Sequence, residues 1–326
     1  MFTTFFLSEL KYAFKRPMIY IFLGLMTLLT FGITSSGIAF FDTIGNAYAN
    51  APHTITVYTT FLTLFGLMIA AAFFNDAALR DHDNHFNEIL FSAPIRKSGY
   101  FFGRFFGALV LATIPMLGIF LGVILGTILA PIFGWVDPER FGSFYLETFI
   151  NNYFLIILPN MFFAGTIIFT IANKWKSTVI SFVGLLVIII GYLVSGAFIR
   201  DLDNETIAAL TDTFGIRAYG LYSKYFTPIE KNTLSPSFSG LLILNRLIWS
   251  ISGIILLTIS YFSFSFREKN TKFKVAKEDK KKVERTFTSP KLNPIYGAKT
   301  EWTQFKSFFL INFLNIVKSA SFKILF

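Results

Sequence analysis

Apolar residues gather into six runs, 18–41, 57–74, 105–133, 153–172, 179–199 and 247–266, each long enough to cross the hydrocarbon core of a bilayer as a helix. Ahead of them, residues 2–16 follow a helical period. Phe2, Phe6, Leu10, Ala13 and Phe14 fall on one side, and Thr4, Ser8, Lys11 and Lys15 on the other. Pro17 ends that segment. Glu9 in the leader and the length of the first apolar run argue against a cleaved secretion signal. The pattern predicts an all-α integral membrane protein, with an amphipathic N-terminal elbow helix over 1–16 and a domain of six transmembrane helices over 17–266.

Composition strengthens this. The 326 residues are 54% hydrophobic and include 43 Phe, more apolar surface than one soluble core buries. The formal net charge of +10 would point to nucleic acid in a soluble chain. Here the cations flank the apolar runs: Lys11, Lys15 and Arg16 in the leader, Arg80, Arg96, Lys97 and Arg104 after the second run, Lys174 and Lys176 after the fourth. The alternate loops are poorer, with none in 41–56, only Arg140 in 134–152 and five in 200–246. Positive-inside bias therefore puts both ends and segment 75–104 in the cytoplasm, with anionic membrane lipids, not nucleic acid, as the partner of the surplus charge. Cysteine is absent, which excludes disulfides and thiolate metal sites.

Segment 75–104 is the most patterned connection. Asp76, Arg80, Asp81, Asp83 and Glu88 are followed by apolar Ile89, Leu90 and Phe91, a break at Ser92-Ala93-Pro94, and the basic pair Arg96 and Lys97. This is the composition of a short surface helix that docks Leu90 and Phe91 and turns its charges to water or a partner. Within it, Asp81, His82, Asp83, His85 and Glu88 have a spacing that can hold zinc. No HExxH motif or further histidine converges on them, so the segment reads as a solvated polar loop and no metal ligand is assigned. No G-x-x-x-x-G-K-[ST] loop occurs either, so the chain holds no nucleotide by that route and no catalytic residue is assigned.

The central portions of the apolar runs carry no Asp, Glu, Lys, Arg or His, unlike ion-coupled transporters. Gly118, Gly122 and Gly126 recur every fourth residue after Gly103 and Gly107, a small-residue ridge suited either to a second membrane unit or to packing inside one bundle. Pro115 and Pro159 predict kinks, and Asn160 is either a pathway-lining residue or a hydrogen-bond partner of a neighbouring helix. Segment 200–246 predicts a small outer cap with one helix over 204–210, then Tyr219, Tyr222, Tyr225 and Phe226. A basic linker is expected over 267–306. In 307–326, Phe308-Phe309-Leu310 with Lys318 repeats the spacing of Phe5-Phe6-Leu7 with Lys15.

The elbow, the six runs, the charge-free interior and the loop RD…NEIL…SAPIRKSGYFFGRFFGAL together resemble permease subunits of type-2 ATP-binding-cassette (ABC) exporters. DTFG at 212–215, YFTPIEKN at 225–232 and GLLILNRLIW at 240–249 are similar to bacterial permeases with two such halves and a C-terminal metallo-aminopeptidase domain. The resemblance implies a first permease half, a partner cytoplasmic ATPase that binds the ATP, no cofactor in this chain, and a bacterial inner-membrane location. It also implies a coupling helix over 81–94, involving Asp81, Asp83, Glu88, Leu90, Phe91, Pro94 and Arg96, and a second permease half in the same parent chain or a dimer. The second half and the zinc motif of the peptidase domain are missing from these residues, so no peptidase activity carries over. A membrane anchor that merely recruits a partner is the competing class, and a metal enzyme centred on His82 and His85 a third.

Overall fold

The computed structural model describes residues 1–36, 47–197, 205–266 and 298–318, and among them every regular element is helical. The first is α1 (Phe2–Phe14), followed by α2 (Met18–Ser35), α3 (Pro52–Asp83), α4 (Asn87–Ser92) and α5 (Lys97–Thr113). Next come α6 (Gly118–Ile132), α7 (Leu146–Asn152), α8 (Leu158–Trp175) and α9 (Thr178–Ala197). Three short helices, α10 (Glu205–Thr211), α11 (Ile216–Tyr222) and α12 (Pro228–Thr233), then lead to α13 (Gly240–Ser263). These form one unit; α14 (Ala298–Lys318) belongs to a second and stands by itself here.

Six helical stretches are long and apolar enough to cross a membrane: Met18–Ser35, Pro52–Asp83, Lys97–Ile132, Leu146–Trp175, Thr178–Gly196 and Gly240–Ser263. Both proline expectations have a local counterpart. Pro115 opens a 3₁₀ turn, Pro115–Leu117, between α5 and α6, and a π turn, Tyr153–Ile157, joins α7 to α8 just ahead of Pro159. A proline lacks the amide hydrogen that the regular ladder needs, so the turns on either side change pitch.

The helices run further than the apolar runs alone indicated. α3 continues through Asp76, Arg80 and Asp81, α5 begins before Arg104, and α13 begins before Arg246. At 32 residues α3 is about 48 Å long, against a hydrocarbon core of about 30 Å. It is buried along nearly its whole length, packed by α5, α8 and α9. Phe74, Phe101, Phe105 and Phe169 meet about two thirds of the way along it with ring centroids 5.3 to 6.5 Å apart, largely edge-on or tilted. Between helices in lipid such packing, not water exclusion, does the holding, at about 0.5–1.5 kcal/mol per ring pair.

Glycine fixes the other long contacts. A Cβ on Gly118 would stand 2.6 Å from the Leu23 carbonyl oxygen, one on Gly122 2.5 Å from that of Thr27, and one on Gly126 2.7 Å from Thr34 Cβ, so α6 is pressed against α2 of the same chain. Gly103 and Gly107 bring α5 equally close to Phe5 and Glu9 of α1. Among its described residues, the segment expected to carry one helix over 204–210 holds three short helices ahead of the start of α13, and helix α14 begins at Ala298, inside the expected linker. The rest of that linker, 267–297, and the end of the expected repeat, 319–326, lie outside the described residues.

Candidate functional site

Two buried polar clusters stand at different heights on α3. The first gathers where α1, α3 and α5 meet, directly beneath α4. Glu9, only 2% exposed, sits against the glycine face of α5 and accepts hydrogen bonds from Arg80 of α3 and from Arg104 of α5, the latter at 2.6 Å. Arg104 also pairs with Asp81, whose carboxylate accepts from the Tyr100 hydroxyl at 2.9 Å. Arg80 reaches Asp76 at 3.0 Å, Arg16 reaches the same carboxylate at 3.5 Å, and both guanidinium groups lie over the Tyr12 ring. Three carboxylates thus face three guanidinium groups across three helices. Mutual pairing is what makes such charges tolerable away from water.

That clamp holds up the loop that carries α4. Asp81, expected to face a partner, is buried in the clamp, while Asp83, Glu88, Pro94 and Arg96 are exposed. The expected docking side is reversed. Leu90 and Phe91 turn inward, Phe91 meeting His82, Tyr100 and Phe266 at 5.9, 5.6 and 4.8 Å between ring centroids. Phe86 and Ile89 point away from the bundle, at 48% and 67% exposure. A six-residue helix has room for one face only, and the aromatic cluster around Tyr100 takes the side carrying Leu90 and Phe91. His85 adopts left-handed backbone, φ 54°, at the bend between α3 and α4. Among the described residues no three His, Asp or Glu side chains converge as metal ligands.

The second cluster joins two of the three motifs, 212–215 and 240–249. Asp212 accepts the backbone N–H groups of Phe214 and Arg217, which shapes the DTFG turn, and Gly215 closes it at φ +80°. Asn245 donates to the carbonyls of Ala209 and Asp212 at 2.6 and 2.8 Å. Arg246, fully buried, donates through Nε to Asn245 Oδ1 at 2.9 Å and through Nη1 to Asn160 Oδ1 at 2.6 Å. Asn160 in turn donates to Thr63 Oγ1 and to the Phe214 carbonyl, both at 3.0 Å. Its side chain is engaged at both ends, as a strut between α3, α8, α13 and the turn. Asn232 of the second motif accepts the Tyr48 N–H at 2.8 Å, and Thr227 with Glu230 forms a capping box on α12. Those bonds hold the Glu230 carboxyl below its ordinary value.

Between the strut and the start of α3 runs a polar column. Thr56, Thr59, Thr60 and Thr63 return their hydroxyls to α3 carbonyls three or four residues back. Asn152 donates to Thr56 at 3.0 Å, and Tyr219 shares a 3.0 Å hydrogen bond with His53. Burial pushes the Tyr219 hydroxyl far above its ordinary value, so it stays protonated.

Glu9, Tyr100, Arg104, Asn245 and Arg246 were not anticipated as site residues. Glu9 was the available signal, a lone acid in a cationic leader, and the adjacent Asn245 and Arg246 at the mouth of an apolar run were another. The glycine ridge 118–126 is occupied by α2. No family model, curated protein or solved structure matches the chain. What the described residues define is an all-helical fold with six helices long and apolar enough to cross a membrane.

Proposed function

We propose that this chain is the membrane half of an ABC exporter, driven by ATP bound to a separate cytoplasmic ATPase and seated in a bacterial inner membrane. The observation that carries the reading is α4: a short helix held between the ends of two membrane-length helices, backed by a buried ion clamp, and turning Phe86 and Ile89 outward beside Asp83 and Glu88. A push on α4 would pass through Phe91 to Tyr100 and through the clamp to α3, α5 and α1 together. The outward face asks for a partner groove with an apolar floor and a cationic rim. The cation-rich ends of the helices support a cytoplasmic position for α4. Type-2 permeases work as paired halves, and with Gly118, Gly122 and Gly126 filled by α2, pairing would use another face.

The test is co-expression with the ABC ATPases of the source cell. One ATPase should co-purify with the chain and change its hydrolysis rate in the chain's presence. Phe86→Asp with Ile89→Asp should abolish both effects while the chain still inserts and folds, because neither side chain contributes to the core. Wild-type co-purification of that double variant would refute the docking face. An ATPase that binds but hydrolyses at an unchanged rate would make the chain an anchor instead.

A further inference from the structure

The end of α3 remote from α4 is tied to α11 by one contact between two titratable rings. His53 stands in the first turn of α3, its Nδ1 lies 3.0 Å from the Tyr219 hydroxyl, and the two rings stack at 5.5 Å. Among the described residues this is the only hydrogen bond between side chains of α3 and α11. Tyr219 is 2% exposed and keeps its proton, so it is the donor and Nδ1 the acceptor. Thr56, one turn further along α3, already gives its own proton to the Pro52 carbonyl and accepts from Asn152. His53 itself is 7% exposed, which leaves its ring within reach of protons from solvent.

The surroundings offer a charge on that ring no partner. Of the carboxylates on the elements packed against this end of α3, Glu230 of α12 is bonded to Thr227 and Glu147 of α7 to Asn151. Of the cations, Arg217 of α11 is turned to Tyr192 and Ser195, Arg140 acts on Tyr58, and Lys231 of α12 acts on His53 itself. Tyr222, the other phenol of α11, shares a hydrogen bond with Ser237. We propose that His53 and Tyr219 form an acid-sensitive latch on the face of the membrane opposite α4: neutral His53 holds α11 against α3, and protonation of its ring releases α11. A charged imidazole carries hydrogen on both nitrogens, so Nδ1 can no longer accept from Tyr219. A buried cation without a carboxylate also demands water, which enters only as α11 moves off α3. α11 begins one residue after Gly215, so its departure pulls on the turn that Asn160 holds through the Phe214 carbonyl. The inference stands whether or not an ATPase drives the chain.

Three histidines and no cysteine make the test direct on the full chain. His82→Gln with His85→Gln leaves His53 as the only imidazole, and ring-¹⁵N NMR of that chain in nanodiscs reads its tautomer and its titration. In the same background, spin labels at Met68→Cys on α3 and Tyr225→Cys just beyond α11, both exposed positions, give the separation of the two helices by double electron–electron resonance. At about pH 8 Nδ1 should carry no proton and one short distance should be seen. As the pH falls, a longer distance should appear with the same midpoint as the ring titration, and vanish on neutralisation. His53→Gln, which accepts from Tyr219 and takes no charge, should keep the short distance throughout; if that chain fails to fold, the coincidence of the two midpoints decides alone. A proton on Nδ1 at about pH 8, a ring that stays neutral until the chain unfolds, a ring that titrates with no change in distance, or a His53→Gln chain that still opens in acid would each overturn the inference.

Discussion

The two buried clusters on α3 solve one electrostatic problem in opposite ways. From Thr63 to Asp81 they stand about 27 Å apart along the helix, close to the thickness of a hydrocarbon core. In the clamp, Arg80 and Arg104 meet carboxylates directly and the charges cancel. In the strut, Arg246 meets only amide and carbonyl oxygens within hydrogen-bond reach, from Asn245, Asn160 and Thr213. The clamp depends on opposite charge, and the strut on the planar fork of the guanidinium. The difference teaches what each cluster joins: the clamp ties three helices near α4, whereas the strut ties a folded turn to the bundle.

The largest expected effect is on the clamp. Arg104→Met strands the Asp81 carboxylate with only the Tyr100 hydroxyl, which should cost about 3–5 kcal/mol, read as lost thermal stability of the detergent-solubilised chain. Adding Asp81→Asn, which leaves two carboxylates against two guanidinium groups with Glu9 still paired to Arg80, should restore most of it, because the demand is for neutrality; failure to recover would mean that geometry, not charge, holds the clamp. Phe91→Asp comes next. It should cost about 2 kcal/mol or more through lost packing on Tyr100 and Phe266, whereas Ile89→Asp should stay within about 0.5 kcal/mol. Equal costs would contradict the orientation of α4.

Arg246→Met should cost about 2 kcal/mol, from the unmatched oxygens of Asn160 and Asn245. Arg246→Lys should recover little, since one ammonium cannot reproduce the fork. A full rescue by Lys would mean that the strut needs charge after all. The smallest effect concerns α12. The Glu230 carboxyl is held below its ordinary value by the Thr227 backbone and hydroxyl. Its contribution is therefore present above the ordinary value of 4.5 and lost as pH falls through the depressed one. The protection of the α12 amides should fall below about pH 4 while that of α3 holds; Glu230→Gln should remove that pH dependence, and Thr227→Val, which keeps the backbone N–H, should only weaken it.

The six membrane-length helices were legible because apolar runs of that length have few other uses. Their ends were not. A reading of hydropathy stops at Asp76, Arg104 or Arg246, and only the partners those groups find in space, opposite charges for Asp76 and Arg104 and amide and carbonyl oxygens for Arg246, let the helices continue past them. Asn160 was open between lining a pathway and bonding a neighbouring helix, and one residue's identity cannot separate these. The three bonding partners around it, Thr63, Phe214 and Arg246, could. The apolar patch over 89–91 was found, but a single turn of helix has no period long enough to reveal which residue faces inward. The glycine ridge shows the same limit, since spacing announces a close neighbour without naming it, and the neighbour proves to be α2.

α3 also has a mechanical meaning. A straight helix about 48 Å long is stiff, and here it is gripped at one end by Glu9 and Arg104 and, a third of the way from the other, by Asn160. Such a rod is a lever with its fulcrum off centre. A tilt of about ten degrees about Thr63 would swing the Asp81 end by about 5 Å and the Pro52 end by only about 3 Å, in the opposite direction. A coarse displacement beside α4 would thus become a smaller and more forceful one around His53 and Tyr219.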